Sequence, residues 1–98
     1  MEVVFADATF ALVETDQVGT TRLSVSVIKA ARRRLTILRA APDERALRNW
    51  KSLYYERLSE GRDSQRSVRL NDQFRLVFTL DEGTKPATIT ILNIEDYR

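Results

Sequence analysis

Between positions 57 and 75 the chain carries Arg57, Arg62, Arg66, Arg69 and Arg75, with Lys51, Tyr54 and Tyr55 just upstream. These residue types suit phosphate chemistry. A guanidinium is planar and permanently charged, and its fork of N–H donors matches two phosphate oxygens at once, which a lysine ammonium does not. Aromatic rings beside such a fork supply faces on which nucleobases stack. Arginines gathered on one sheet face with aromatic neighbours would therefore make a platform for RNA. The same residues also fit a solvated surface in which Glu56, Glu60, Asp63 and Asp72 neutralise the arginines in local ion pairs. The residue types leave both arrangements open.

The stretch VRLNDQFRLVF, residues 68–78, says how two of these arginines are placed. Val68, Leu70, Phe74, Leu76 and Phe78 share one parity, and Arg69 and Arg75 share the other. Alternation of that kind predicts two half-buried strands joined by a short loop. With Asn71, Asp72 and Gln73 as the loop, Leu70 faces Phe74 and Arg69 faces Arg75. A two-residue loop would set Arg69 against Phe74 and scramble the faces, so an odd loop is expected. Like charges in direct opposition are destabilising, and something must compensate. An anionic ligand on the shared face would do so. An acidic side chain would also serve, either Asp72 in the loop or Asp96 on a neighbouring strand, where nearby arginines would keep it ionised.

The bulk numbers narrow the classes. A chain of 98 residues with 43% hydrophobic and 31% charged residues predicts one folded domain spanning residues 1–98, with a single modest core. It has no cysteine and no histidine, so thiol chemistry is excluded and the commonest metal ligand is missing; no metal site is expected. No apolar run approaches the ~20 residues that span a bilayer, and MEVVFADATF lacks a signal-peptide pattern, so a cytoplasmic protein is the expectation. Net charge is only +2, yet residues 22–75 carry fourteen Arg/Lys against six Asp/Glu. Thirteen of the sixteen basic residues are arginine. That asymmetry admits an anionic partner without specifying one.

The elements that must position these residues follow from periodicity. EVVF, residues 2–5, predicts an opening strand, and ADATFALVETD a short helix that Asp7 can cap. Val27, Ile28, Ala31, Leu35 and Leu38 follow helical spacing and predict a helix from about Thr21 to Ala41, stopped by Pro42. Its outer face carries Lys29, Arg32, Arg33 and Arg34, which reads as a solvated face or as a dock for an acidic partner or nucleic acid. PDERALRNW reads as a connection. Strands are predicted at LYYERL (53–58), in the hairpin, and at ATITILNI (87–94), which is apolar enough to lie centrally. The class is α+β, with an N-terminal strand and two helices packed on a mainly antiparallel, twisted sheet of four or five strands. Walker A, GxGxxG, HExxH and GxSxG motifs are all absent.

SEGRDSQRSVRLNDQFRLVF followed by NIEDYR is similar to the C-terminal half of HigB-type toxins of the RelE/ParE superfamily. Members read approximately LKGDR, then a strand pair around SIRINDQWRI, and end in VDYH or EDYH. The opening strand, the AARRRL-like helical segment and the loop into NW extend the resemblance over essentially the whole chain. It implies a small, RelE/ParE-like ribonuclease without cofactor that cuts mRNA on the ribosome. A helix-turn-helix, HigA-like antitoxin would hold it inactive, and an acidic segment of that partner could cover the arginine face. In such chemistry the RNA's own 2′-hydroxyl attacks the adjacent phosphate. By this resemblance Arg75 stabilises the phosphorane, Asp96 is a candidate base, Tyr97 stacks or donates a proton, and Arg98 stands at the terminal catalytic position. Arg62 takes a phosphate-binding role, and Arg57, Arg66 and Arg69 complete the basic surface.

The chain departs from the pattern at three places. Arg98 stands where the family has a terminal histidine, Ser59 where it has the loop lysine, and Arg66 where it has an aromatic residue. An arginine can stabilise charge but cannot accept a proton at neutral pH. Two other expectations therefore stand beside the ribonuclease. One is a ParE-like, non-catalytic inhibitor of a topoisomerase; the other is a remnant that survives only as an antitoxin-binding partner.

Overall fold

The computed structural model describes residues 1–98 apart from Gln17, Glu60, Asp63 and Arg98, and describes only the backbone of Val18 and Thr20. The expected roles of Arg98, Glu60 and Asp63 thus fall outside the described residues. The chain order is β1 (Glu2–Phe5), α1 (Ala8–Ala11), α2 (Val25–Ala40), α3 (Glu44–Asn49), β2 (Glu56–Arg57), β3 (Gln65–Arg69), β4 (Phe74–Asp81) and β5 (Thr88–Asp96). Short 3₁₀ turns lie at Leu12–Glu14, Val18–Thr21 and Lys51–Leu53. The strands form one five-stranded sheet in the order β1-β5-β4-β3-β2. β1 runs parallel to β5 and every other pairing is antiparallel, so the helical crossover is spent on the one parallel pair. This is the α+β architecture that the sequence predicts, with β5 lying between two neighbours.

One sheet face is covered and the other is left for the arginines. Val27, Ala30, Ala31, Leu35 and Leu38 of α2 and Leu47 of α3 pack on Val68, Leu70, Leu76, Phe78, Ile89 and Ile91. α2 begins four residues later than its periodicity suggests. Arg22 sits at φ 60, and Ser24 caps the helix, its Oγ accepting the Val27 N–H at 3.3 Å. The helix ends at the expected place, because Pro42 holds Ala41 in extended backbone. The Met1 amino group donates to the carbonyls of Arg39 and Ala41 at 2.7 and 2.8 Å, where a helix C-terminus favours a cation.

Two segments differ from expectation. PDERALRNW is not a plain connection: Asp43 Oδ1 accepts the Ala46 N–H at 3.0 Å and starts α3. LYYERL is not one strand. Tyr54 adopts left-handed backbone, φ 49, after the 3₁₀ turn, so pairing starts only at Glu56, while Leu53 is fully buried in the core.

The hairpin has the predicted register, with Arg69 opposite Arg75. Asn71 closes the loop, its Oδ1 accepting the N–H groups of Gln73 and Phe74 at 2.8 and 2.7 Å. β5 contains a bulge: Val77 pairs with Asn93 but Phe78 pairs with Ile91, which leaves Leu92 as the extra residue. Side chains before the bulge, Ile89 and Ile91, point to the helices. Beyond it the parity is reversed, so Ile94 points to the helices and Asn93 and Glu95 to the opposite face.

Candidate nucleic-acid interface

The face away from the helices carries Ser67 and Arg69 from β3, Arg75 and Val77 from β4, and Glu95 from β5, followed by Tyr97. Glu56 joins it because β2 pairs Glu56 with Ser67. Tyr54, Tyr55, Glu56, Ser67, Arg69, Arg75 and Tyr97 enclose a concavity of about 180 Å³. A second, of about 300 Å³, adjoins it through Glu56 and Arg75 and is otherwise lined by Arg57, Leu58, Ser59 and Arg62.

The two opposed arginines are compensated in different ways. Arg75 has carboxylates: its Nη2 lies 2.5 Å from Glu95 Oε1, and its Nη1 lies 3.6 Å from Glu56. Arg69 has rings. Its guanidinium carbon lies 3.9 Å from the Tyr54 ring centre and 5.7 Å from that of Tyr97, while Arg75 lies 5.9 Å from Tyr97. Among the described residues no carboxylate pairs with Arg69. Arg34 of α2 donates to the Arg69 carbonyl at 2.9 Å and fixes the strand end from the far side.

Glu95 is the electrostatic hub. Arg62 grips it with Nη1 and Nη2 at 3.1 and 2.8 Å, and Arg75 grips it with Nε and Nη2. The hydrogen bond from Arg62, helped by Arg75 and opposed by burial, holds its carboxyl far below the usual range, at about 2. So weak a base is a poor proton acceptor. Glu56 is the more open carboxylate, with 61% of its side chain exposed against 24% for Glu95.

The structure brings Arg69, Arg75 and Tyr97 together, with Arg62 joined through Glu95. Tyr97 is fixed at both ends: its N–H donates to the Gln73 carbonyl at 2.9 Å and its hydroxyl to the Asn71 carbonyl at 2.8 Å. Asp96 is placed elsewhere. It pairs with Phe74 in register, on the opposite parity, and accepts from the Gln73 amide at 2.9 Å. Arg75 is therefore screened by Glu95 and Glu56, while Asp96 lies on the other parity. Arg66 also lies on the helix side, 3.4 Å from Glu44 of α3, which accepts from the Tyr55 hydroxyl as well. Arg57 pairs with Arg66 in register and reaches only the second concavity.

For three residues that matter here the sequence signal did not give the final place. Tyr54 needed its left-handed backbone to be visible as the cover of Arg69. Glu56 read as a neutraliser, and Glu95 was hidden by the bulge. Among the described residues no three His, Cys, Asp or Glu side chains gather as a metal site would require. No described helix is long and apolar enough to cross a membrane.

No family model matches the sequence, and no curated protein matches it. Among solved structures the chain is similar to a YoeB/ParE toxin from Agrobacterium tumefaciens, with TM-score 0.62 and 11% identity over 100% of both chains. At that identity the likeness is one of fold, and it runs end to end: the arginine face described above is carried by the fold of a YoeB/ParE toxin.

Proposed function

We propose that the protein is the toxin of a type II toxin–antitoxin pair, a HigB-like, metal-independent ribonuclease that cleaves mRNA on the ribosome. The observation that carries this reading is the concavity in which Arg69 and Arg75 stand side by side against Tyr54 and Tyr97. Forked cations beside aromatic faces suit a nucleotide, with phosphate on the arginines and base on a ring. At about 180 Å³ the concavity is smaller than the ~300–1,000 Å³ of sites that enclose small molecules. The adjoining concavity of about 300 Å³ extends it along Arg57 and Arg62, and the ribosome would cover the open side.

In this reading the 2′-oxygen attacks the adjacent phosphorus and the bond to the 5′-oxygen breaks, leaving a 2′,3′-cyclic phosphate and a 5′-hydroxyl. Arg75 and Arg69 stabilise the charge that builds on the phosphorane. Glu56 is open and lines both concavities, and it takes the 2′ proton. The leaving 5′-oxygen takes its proton from water, and the hydroxide so formed takes the 2′ proton from Glu56 and restores the carboxylate. Tyr97 holds the loop through its hydroxyl and offers its ring to the nucleotide. Arg62 and Arg57 receive the flanking backbone. A HigA-like antitoxin with an acidic segment would cover the same face, and the setting is the cytoplasm.

Induced expression with genome-wide mapping of mRNA 5′ ends tests this. Wild type is expected to produce new ends inside coding regions. Arg75→Ala is expected to lower them about 10²–10³-fold, and Glu56→Gln also to lower them strongly. Growth arrest without new ends would remove the ribonuclease reading.

A second reading is a ParE-like inhibitor that binds a topoisomerase without catalysis. It is favoured by the Tyr97 hydroxyl being engaged with Asn71 and by Glu95 being engaged with two arginines, so that neither is poised to move a proton. DNA-damage signalling on induction, unchanged by Glu56→Gln, is its signature.

A further inference from the structure

Glu95 occupies the donor forks of both Arg62 and Arg75. Its two oxygens take four N–H contacts from two guanidiniums, at 2.8 and 3.1 Å from Arg62 and at 2.5 and 3.2 Å from Arg75. Arg62 spans both carboxylate oxygens and Arg75 sets Nε and Nη2 on one of them, and two non-bridging oxygens of a phosphodiester can accept from the same donors. Arg62 is further oriented by Gln65, whose Oε1 accepts from its Nε at 2.9 Å. Arg69, with its rings, has no such occupant among the described residues.

We propose that Glu95 is a specificity-determining residue, an internal stand-in for the substrate phosphate that any anion must displace from Arg62 and Arg75. The inference deepens the ribonuclease reading and rests on it for the identity of the ligand, but the competition itself needs only an anion. A bare phosphate exchanges one set of guanidinium contacts for another and meets the displaced carboxylate as a like charge, so it gains little. A phosphodiester that also stacks a base on Tyr54 or Tyr97 gains contacts that Glu95 never made. The site therefore rejects free phosphate and accepts nucleic acid. In the absence of ligand, Glu95 also keeps Arg62 and Arg75 together and oriented, so the forks are already formed.

The test compares the wild-type chain with Glu95→Gln and Glu95→Asp, using inorganic phosphate and a fluorescein-labelled hexauridylate as probes. Binding is read by anisotropy and by the NMR signals of the arginine Nε–H groups. Hydrogen bonds to charged groups set the scale, so Glu95→Gln is expected to bind both probes about ten- to a hundredfold more tightly than wild type. Glu95→Asp keeps the charge and should stay close to wild type. Should Glu95→Gln fail to fold, the wild type decides. Its Glu95 carboxyl carbon and the Nε signals of Arg62 and Arg75 must move together at saturation. Tighter phosphate binding by Glu95→Gln with no hexauridylate binding by any variant would uphold the competition and sink the RNA reading. The proposal is overturned if Glu95→Gln binds neither probe more tightly. It is equally overturned if hexauridylate saturates wild type while those signals stay still, or if neither probe binds any of the three proteins.

Discussion

Arg69 and Arg75 face each other across the hairpin, and each is compensated by a different chemistry. Arg75 is held by carboxylates, which a phosphate can replace, and Arg69 by rings, which can remain while a phosphate arrives. Tyr97 connects the two, because its hydroxyl holds the Asn71 loop while its ring lies near both guanidiniums. Tyr97→Phe should cost about 1 kcal/mol in a urea titration, the worth of one hydrogen bond, yet, on the ribonuclease reading, leave mRNA cleavage largely intact. Tyr97→Ala should lose both. Cleavage abolished in a stable Tyr97→Phe would give the hydroxyl a part in the chemistry. Glu95 sets an acid limit. Its carboxyl is held at about 2 in the folded chain against an ordinary 4.5, so the unfolded chain takes up the proton first. The stability it contributes is complete at neutral pH and is lost as pH falls from 4.5 towards 2. Melting curves across that window should show wild type losing its advantage over Glu95→Gln.

Among the elements, α3 does the most to place the aromatic side of the site. Asp43 caps it, and Glu44 in its first turn gathers the Tyr55 hydroxyl, Arg66 and Arg48. The residue before Tyr55 is Tyr54, so this network holds the turn that sets a ring over Arg69. Asp43→Ala should cost about 1 kcal/mol by denaturant unfolding. On the ribonuclease reading a partial loss of RNA affinity should follow it, because the turn is loosened. Tyr55 itself is pushed up to about 12, first by burial and then by its bond to Glu44. Its neutral form belongs to the fold. The stability it brings is complete below its ordinary 10.0 and is lost as pH rises towards 12.

For the molecule as a whole, all the large helices cover one sheet face, and the other is left to cations and rings. On the proposed ribonuclease reading, this face would bind single-stranded RNA with a salt dependence of about −0.7 per phosphate neutralised, on a log–log plot. Arg75→Ala and Arg62→Ala should each flatten that slope by about 0.7, whereas Arg33→Ala on the exposed side of α2 should leave it unchanged. Equal slopes for all three variants would mean that binding does not run through this face. The fold alone does not choose between cutting RNA and capturing a protein, because one scaffold hosts sites of different chemistry. The choice rests on how Glu56, Glu95 and the arginines behave.

Local pattern sufficed wherever the physics was local. The parity of Val68, Leu70, Phe74, Leu76 and Phe78, with an odd loop, determined the hairpin register and hence the opposition of Arg69 and Arg75. Helical spacing with Pro42 behind it determined α2 except for four residues at its start, and EVVF determined β1. Tertiary structure decided the rest of the site. Nothing in ILNIED announces that Leu92 bulges, because a bulge depends on which residues of β4 lie opposite. That one residue reverses the parity after it, turning Glu95 towards Arg75 and Asp96 away. Arg66 left the expected cluster for the same kind of reason: its sheet face is the one α3 covers, and Glu44 waits there. Charge and hydropathy along a chain name the residues that could do chemistry. Which of them meet is settled by strand pairing and packing across the sheet.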